Sequence, residues 1–350
     1  MRKLLIFITF ILIVVGILFF INGKDFLLFL DEKKVYKIEN IERLEIDSLE
    51  EVEFFNKGIV TYNNQNIVHM DLNNEIIWKR ESNEFSNEIF VREDYIYKQS
   101  KGIEVLDRNN QQFLIPDIKG NLINVSRENG KTAFLVVESG QTLFITDENN
   151  NVAVSKEFID PITGISFSDK SEAYAVITLR FENNSPINTL YFNLIDNVEL
   201  WSGEIKNEVL INVQVVNNQV IALGTENIYF YNNNGKLMWR NRIYNKIVDY
   251  YISRENQRIN LIFDKDSNKE LISYNFEGKI MEIQSLPTEV LGLKIYDSRI
   301  YLYSNNSLYL VHGGKFDKIF DSGEKINDFI VKGNNIYILF KNKLVKGQIK

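Results

Sequence analysis

The segment NIYFYNNNGKLMW, residues Asn227 to Trp239, places three asparagines and one glycine between an aromatic-rich run and a tryptophan. Counted back from Trp239, Gly235 stands four residues earlier, Asn232 seven and Ile228 eleven. Glycine and asparagine tolerate the positive φ angle that a short hairpin loop requires. An Asp or Asn that opens a turn accepts hydrogen bonds from backbone N–H groups through its side chain. The segment therefore predicts a β-hairpin whose turn begins at Asn232.

The same frame recurs along the chain, with Asn or Gly at the fourth position back in all six full copies. Two of the other copies end on the two remaining tryptophans, and the five sets are Ile67, Asp71, Asn74 and Trp78; Ile103, Asp107, Asn110 and Leu114; Leu143, Asp147, Asn150 and Val154; Leu190, Leu194, Asn197 and Trp201; and Leu271, Asn275, Gly278 and Glu282. A seventh, shorter copy begins at Ser307 and keeps Gly314 and Lys315. The hairpins begin near residues 66, 102, 142, 189, 227, 270 and 307.

Between hairpins there is room for two more strands, and four strands per roughly 40 residues is the period of a β-propeller blade. After the seventh hairpin, NDFIV, NIYILF and NKLVKGQI predict three strands with no fourth. VYKIENIERLEI, residues 35–46, is rich in strand-forming residues and is predicted to supply the missing strand from the other chain end. The prediction is an all-β, eight-bladed propeller; seven blades is the alternative if residues 155–205 are misassigned. LEEVE, from Leu49 to Glu53, is interpreted as a solvated edge.

The pattern D-x-x-x/N-G-K-x-x-W at the end of each blade resembles the repeats of the quinoprotein-type (PQQ-like) eight-bladed propellers over about residues 47–350. With its N-terminal apolar segment, the whole chain resembles membrane-anchored propeller proteins of low-GC bacteria. The resemblance implies the fold. Only three repeats keep the tryptophan, the usual Thr-Gly turn is absent, and there are no adjacent cysteines or recognisable calcium ligands. Quinone-dependent dehydrogenase activity is therefore not expected.

The N-terminus predicts one transmembrane helix. Leu4 to Ile21 is an 18-residue run without charge, preceded by Arg2 and Lys3. As a helix it spans roughly 27 Å, enough to cross a bilayer. No A-x-A-like cleavage site follows, so an uncleaved anchor is favoured over a signal peptide. The predicted organisation is an anchor at 1–23, a juxtamembrane spacer at 24–34 and a propeller at 35–350. Lysines flank both sides, but the three-residue tail favours export of the propeller.

Composition excludes several functions. There is no cysteine, so disulfides, thiolate metal sites and Cys nucleophiles are absent. The net charge of −7 disfavours binding to nucleic acid. Of the two histidines, His69 takes the position of Val105, Ile145, Phe192 and Phe230 in other copies and is predicted to be a core residue. His312, in VHGGKF, is predicted to lie in an exposed turn. No residue is assigned as catalytic, cofactor-binding or metal-ligating, and no cofactor is expected.

The sequence thus favours a single-pass membrane protein whose exported propeller binds or scaffolds an envelope protein. The alternative is an enzyme, a carboxylate-based hydrolase or lyase acting on envelope polysaccharide from the central funnel. The enzyme requires clustered carboxylates in the funnel, at least one with a raised pKa. The binding module requires an exposed apolar or aromatic patch on a face or rim. The tryptophans are predicted to pack one blade against the next rather than to bind a ligand.

Overall fold

The computed structural model describes residues 35–63, 65–81, 89–170, 172–265 and 268–350. These residues form 32 strands in eight four-stranded antiparallel sheets, the blades of a propeller. The predicted anchor at 1–23 and spacer at 24–34 lie outside the described residues. In the part of the chain that is described, no helix is long and apolar enough to span a membrane.

The first strand of the chain is β1 (Ile38–Glu45), and each of the blades that follow is written from its innermost to its outermost strand. Blade 1 is β2 (Glu51–Phe55), β3 (Gly58–Tyr62), β4 (Asn66–Asp71) and β5 (Ile76–Glu81); blade 2 is β6 (Ile89–Arg92), β7 (Tyr95–Gln99), β8 (Ile103–Asp107) and β9 (Gln112–Ile115). Blade 3 is β10 (Asn121–Glu128), β11 (Lys131–Val137), β12 (Gln141–Thr146) and β13 (Val152–Phe158); blade 4 is β14 (Ile162–Phe167), β15 (Ala173–Glu182), β16 (Ser185–Leu194) and β17 (Glu199–Lys206).

The second half of the ring repeats the same order. Blade 5 is β18 (Leu210–Val216), β19 (Gln219–Gly224), β20 (Asn227–Tyr231) and β21 (Leu237–Arg242); blade 6 is β22 (Lys246–Ser253), β23 (Arg258–Lys265), β24 (Asn268–Asn275) and β25 (Ile280–Leu286). Blade 7 is β26 (Gly292–Tyr296), β27 (Arg299–Tyr303), β28 (Ser307–His312) and β29 (Lys315–Asp321); blade 8 is β30 (Asp328–Lys332), β31 (Asn335–Leu339), β32 (Lys343–Ile349) and β1.

The two ends of the described chain meet in blade 8. β1 pairs antiparallel with β32, with Ile38 opposite Ile349 and Glu45 opposite Lys343. Lys37 and Lys350 exchange two backbone hydrogen bonds, of 3.1 and 3.0 Å. The prediction that residues 35–46 close the last blade is confirmed, and the count is eight blades rather than seven.

The core consists of eight buried apolar clusters, one at each interface between successive blades. One of them joins blade 8 to blade 1 through Leu339, Leu344, Ile46 and Val52, so the ring of interfaces is continuous. Burial of apolar side chains between blades, more than within a blade, therefore stabilises the fold.

The turns follow the sequence prediction. The fourth residue back has positive φ in all six full copies, at Asn74, Asn110, Asn150, Asn197, Gly235 and Gly278. Asn232 Oδ1 accepts the N–H groups of Asn234 and Lys236 at 3.0 and 2.9 Å. Asp71, Asp107, Asp147 and Asn275 make the same pair of hydrogen bonds. The recurrent Asn, Asp and Gly are thus explained by backbone geometry.

Each tryptophan docks on the next blade. Trp239 donates its indole N–H to Phe276 O at 2.8 Å, and Trp78 donates to Arg108 O at 3.0 Å, in both cases a carbonyl in the turn of the following blade. Trp201 lies over Gly235, the turn glycine of blade 5. The prediction that the tryptophans pack blade against blade is confirmed.

We expect Gly235→Ala to destabilise the protein by roughly 2–4 kcal/mol, from two causes that add. Its φ of +73° disfavours any side chain, and an added Cβ would lie 2.8 Å from Trp201 Cγ. Gly314→Ala is the matched control: φ is +70°, but nothing lies within 4 Å of an added Cβ, so only about 1 kcal/mol of backbone strain applies. Urea unfolding of both variants measures the difference, and equal losses would contradict the proposed contact with Trp201.

Because the strands of a blade alternate in direction, the hairpins between first and second strands share one end of the ring with the turns between third and fourth strands. We call this the funnel end. The second hairpins and the connections between blades lie at the opposite end, the linker end. The interpretation of Leu49 to Glu53 as a solvated edge fits its acidic residues: β2 is the innermost strand, at one edge of blade 1, and Glu50 and Glu51 are exposed, whereas Val52 is buried. Its acidic residues alternate with buried positions along a channel-lining strand.

Candidate functional site

A cavity with polar walls opens at the funnel end and has a volume of about 730 Å³. We call it the funnel. It is lined by the innermost strands and first hairpins of blades 3 to 7: Glu128, Asn129, Asp169, Asn212, Gln214, Tyr250, Tyr251, Ile252, Ser253, Arg254, Glu255, Ile295, Tyr296, Asp297 and Ser298. Central funnels of this kind are the default binding site in a propeller.

Arg254, from the first hairpin of blade 6, reaches across the funnel to blades 3 and 4. Its guanidinium pairs with Glu128, and its Nε lies 3.3 Å from Asp169 Oδ1. Nη2 also donates to Phe167 O at 2.8 Å and to Ser166 Oγ at 3.3 Å. One internal arginine is therefore paired with two of the funnel carboxylates.

Gln214 of blade 5 extends this network by donating from Nε2 to Glu128 Oε1 at 3.2 Å and to Ser166 Oγ at 3.3 Å. Ser166 Oγ in turn accepts the backbone N–H of Val215 at 3.1 Å. Blades 3, 4, 5 and 6 are thus tied together by side chains at the centre of the ring. A partly buried, charge-assisted network of this kind stabilises the packing of these blades against one another.

Asp249, a carboxyl group with a raised pKa, lies beside the funnel and is not among the residues that line it. Burial raises the pKa of Asp249, against the opposing effect of backbone N–H donors. Asp249 Oδ2 accepts Leu293 N–H at 2.8 Å and Oδ1 accepts Tyr250 N–H at 2.9 Å. The side-chain oxygens of Gln99, Gln141 and Asn188 likewise accept the N–H of an early residue in the next blade's innermost strand, namely Leu122, Ile162 and Leu210. Asp249 therefore makes the same kind of hydrogen bond, from a side-chain oxygen to a backbone N–H, that links other pairs of successive blades.

Three tyrosines, Tyr250, Tyr251 and Tyr296, add phenol hydroxyl groups to the funnel wall. Burial raises the pKa of Tyr250, Tyr251 and Tyr296, with smaller contributions from the neighbouring carboxylates Asp249, Glu255 and Asp328 respectively. Their hydroxyls are thus protonated donors at neutral pH. Tyr296 uses its hydroxyl to donate to Phe329 O at 2.9 Å, which links blade 7 to blade 8.

The described residues contain no group of three or more His, Asp or Glu side chains arranged to hold a metal ion. His312 corrects a sequence prediction, because it ends β28 rather than lying in an exposed turn. Its Nε2 is 2.7 Å from Asp317 Oδ2, and its ring packs edge-on against Tyr36 at 4.9 Å. Asp317 also accepts the N–H of Tyr36 at 3.0 Å, so this histidine helps to hold the chain entering β1.

His69 is a core residue, as predicted. It is 1% exposed, its ring lies 4.9 Å from Phe55 and 5.4 Å from Trp78, and neither ring nitrogen has a hydrogen-bond partner among the described residues. The equivalent pair in blade 5 is Phe230 and Trp239, also 5.4 Å apart. Burial lowers the pKa of His69, so it is neutral in the folded protein.

We expect His69→Phe to stabilise the protein and to weaken the pH dependence of its unfolding. In the unfolded chain the imidazole takes up a proton as the pH falls through about 6.5, whereas the buried ring resists it. Stability is therefore present above that pH and is lost as the pH falls below it. Phenylalanine cannot be protonated and leaves no unpaired buried nitrogen, a gain of about 1–3 kcal/mol. Urea unfolding at about pH 7.5 and pH 5.5 tests this; an unchanged pH difference in the variant would contradict it.

A second candidate surface lies on the outer rim. The outer strands of blades 4, 5 and 6, or the residue just before them, expose large apolar side chains, with exposed fractions of 43–57%. We call this set the apolar band: Val198, Leu200, Leu237, Met238, Ile280, Met281 and Ile283. Leu200, Met238 and Met281 occupy the same repeat position, directly before Trp201, Trp239 and Glu282. The rim of blades 8, 1 and 2 carries a sparser set, Ile41, Ile76, Ile77 and Leu114. Large apolar side chains left exposed on neighbouring blades are candidates for an interaction surface.

The same side of the ring exposes apolar residues at its linker end. Ile159 is fully exposed between blades 3 and 4, Phe181 lies in the second hairpin of blade 4, and Tyr244 and Leu291 follow blades 5 and 6. Ile159 and Phe181 flank the ion pair of Asp160 with Arg180, whose Oδ2 and Nη1 atoms are 3.4 Å apart. Apolar side chains bordered by charge extend the apolar band onto this end of blades 4 to 6.

Sequence reasoning did not find the funnel residues. Glu128, Asp169 and Arg254 come from first hairpins, whose sequences do not repeat as the third-to-fourth-strand turns do. Positive φ at Asn129, Asp297 and Ser298 marks such hairpins, and paired polar residues between two strand-like runs would have located them. The contact between Arg254 and Glu128, however, has no local sequence signal.

The fold and surfaces define an eight-bladed β-propeller whose funnel is crossed by hydrogen bonds and ion pairs between blades and whose rim exposes apolar side chains. Residues 31–347 match the model of DUF5711, described as a family of unknown function, and the chain belongs to that family. No relative among functionally curated proteins matches the sequence.

Solved propellers share the fold. The structure of BamB from Moraxella catarrhalis is similar with a TM-score of 0.53 and 10% identity, over 89% of this chain and 99% of that one. A eukaryotic initiation factor gives 0.56 and 11% over 84% and 82%. The Pan2 WD40 domain of Neurospora crassa gives 0.50 and 10% over 75% and 88%. At these identities the likeness concerns the fold alone.

Proposed function

We propose that this chain is a membrane-anchored, protein-binding propeller of the cell envelope, which docks its partner on the outer side of blades 4 to 6. The observation that carries the proposal is the apolar band. Seven large apolar side chains on three consecutive blades expose surface that folding of this chain leaves in water, and Leu200, Met238 and Met281 among them share one repeat position. Protein–protein interfaces have such apolar centres with charged rims.

Two further observations support a binding module over the polysaccharide-acting enzyme. Of the four carboxylates that line the funnel, Glu128 and Asp169 are held by Arg254, so these two do not form the pair of free carboxyl groups that glycoside hydrolysis needs. The raised pKa belongs to Asp249, whose oxygens are occupied by backbone N–H groups. The PQQ-like character of the repeats, within this proposal, reflects blade packing and not cofactor chemistry.

The location in the envelope rests on the sequence. The uncharged run from Leu4 to Ile21 behind Arg2 and Lys3 supports a single membrane-spanning helix, with the propeller outside the cytoplasm. Protease added to intact protoplasts is expected to digest the propeller. Complete protection of the propeller would refute the exported topology.

Docking is tested by placing a photo-crosslinking amino acid at Leu200, Met238 or Met281 in the full chain, expressed in its native cells. Crosslinks to one and the same protein are expected from all three positions. Lys318, on the outer strand of blade 7, is the exposed control and should give none of that product. Crosslinks only to glycan, or an identical product from Lys318, would count against a protein-docking surface on these blades.

A further inference from the structure

β21 differs from the other described outer strands in the sign of its charges. It pairs with β20 on one side only, so its other edge presents free backbone N–H and C=O groups. Together with the residues that flank it, it carries Lys236, Arg240 and Arg242 and no acidic residue. The remaining outer strands are mixed, acidic or uncharged: β1, β5, β9, β13, β17, β25 and β29.

The side chains of β21 separate into two faces. Trp239 and Asn241 bond to the turn of blade 6, through Phe276 O at 2.8 Å and Gly278 O, and Ile243 is buried in the same interface. Arg240, Arg242 and Tyr244 alternate with these and are exposed, as are Lys236 and Met238. We call these five residues the basic stripe. From Lys236 to Tyr244 it extends roughly 27 Å along the strand.

Within the part of the chain that the structure describes, the cations of the basic stripe have no carboxylate partner. Among the described residues, Lys236, Arg240 and Arg242 make no ion pair, and the Arg242 guanidinium lies 5.4 Å from the centre of the Tyr244 ring. Several lysines on other outer strands are paired with nearby acids: Lys79 with Glu81, Lys206 with Glu204 and Lys318 with Asp321. The absence of pairing is notable in a chain with a net charge of −7.

We infer that the basic stripe and the free edge of β21 together bind an extended acidic peptide segment of a partner protein, which adds to blade 5 as a fifth strand. The inference rests on the proposed protein-binding function and names its partner chemistry. The backbone edge supplies main-chain hydrogen bonds, and the alternating side chains supply specificity. A partner strand that alternates acidic and apolar residues places its carboxylates on the face of Arg240 and Arg242 and its apolar side chains on the opposite face, the one that carries Trp239.

The charges also make the edge selective. Two copies of β21 would bring six cations together, so edge-to-edge pairing of this chain with itself is repelled. At physiological ionic strength the screening length is about 8 Å, so an acidic strand on the stripe interacts mainly with these cations and little with the overall negative charge. An anionic lipid surface would satisfy the cations but not the backbone edge, which is why a peptide strand is favoured.

The test uses the full chain in nonionic detergent and a fluorescein-labelled peptide of about eight residues that alternates Glu and Val, the length of a typical strand. We expect saturable binding by fluorescence anisotropy, weakened by salt, and slower hydrogen exchange at the amides of β21. Arg240→Gln with Arg242→Gln is expected to weaken binding roughly tenfold, since it removes two charge pairs. Lys79→Gln with Arg80→Gln, on the outer strand of blade 1, is the matched control and should leave binding unchanged.

Three outcomes would overturn the inference. Equal affinity for a Lys-Val peptide would remove the role of charge, and equal affinity for a Glu-Val peptide with N-methylated backbone would remove strand addition. No binding of the Glu-Val peptide, with β21 protected instead by phosphatidylglycerol doped into the micelles, would reassign the stripe to a membrane surface. If Met238 still crosslinks to a protein in cells when the peptide fails to bind, the proposed function stands and only this inference falls.

Discussion

Removal of residues 35–46 is expected to cost more than about 5 kcal/mol, a large part of the stability of an ordinary domain. The deletion takes away β1, the whole outer strand of blade 8, and with it Ile38 and Ile46, which are 8% and 5% exposed in two different blade interfaces. It also exposes β32 as a new edge and breaks the link between the two ends of the described chain. Urea unfolding followed by circular dichroism measures the loss, and hydrogen exchange should show β30 to β32 opening first.

Point variants of β1 give a graded form of the same prediction. Ile38→Ala is expected to cost about 2–4 kcal/mol, because a buried isoleucine leaves a cavity between blades 7 and 8. Ile41→Ala on the same strand is the control: Ile41 is 48% exposed, and its loss should change stability by less than about 0.5 kcal/mol. If both variants unfold at the wild-type urea concentration, β1 does not close the ring in solution.

Trp239→Ala is expected to cost about 2–4 kcal/mol, near the lower end of losses for large core aromatics because the ring is only partly buried. The variant loses the stacking of Trp239 on Phe230, at 5.4 Å, and leaves Phe276 O without its 2.8 Å donor. Both contacts belong to the interface of blades 5 and 6. The measurement is the free energy of urea unfolding by circular dichroism.

Trp239→Phe separates packing from the hydrogen bond, and it should recover part of the loss. Tyr244→Ala, an aromatic residue that is 82% exposed on the same side of the ring, should leave stability within about 0.5 kcal/mol of wild type. A Trp239→Ala variant as stable as Tyr244→Ala would mean that the indole is an exposed surface for a ligand and does not stabilise the packing of blade 5 against blade 6.

The repeat made much of the fold predictable because it is a local signal. Asn74, Asn197 and Gly235 are fixed by the positive φ of their turns, and Asp71 and Asn232 by the N–H groups that they accept. Local constraints of this kind recur wherever the same turn recurs, so the period, the blade number and the spare N-terminal strand could all be derived from spacing.

The candidate sites were not predictable in the same way. Arg254 and Glu128 lie 126 positions apart and outside the repeated turn, and only the closed ring brings them together. The basic stripe is not recognisable as a sequence pattern. Arg240 and Arg242 become distinctive only when Trp239 and Asn241 are seen to face blade 6 and no carboxylate of the described residues pairs with the cations. His312 was misplaced because its partner Asp317 lies across a hairpin whose register the sequence does not specify.

NIYFYNNNGKLMW carries both kinds of information. By itself the sequence determined that Asn232 opens a turn and that Gly235 takes a conformation with positive φ, since both depend on residues next to them in the chain. Only the tertiary structure decided that Gly235 must also lack a side chain because Trp201 of the preceding blade lies over it. It also decided that the cations of the strand ending at Arg242 lie at the rim without an ion pair to any described residue. Turn geometry is set within a few residues, whereas packing and charge pairing between blades are set by side chains that the closed ring brings together.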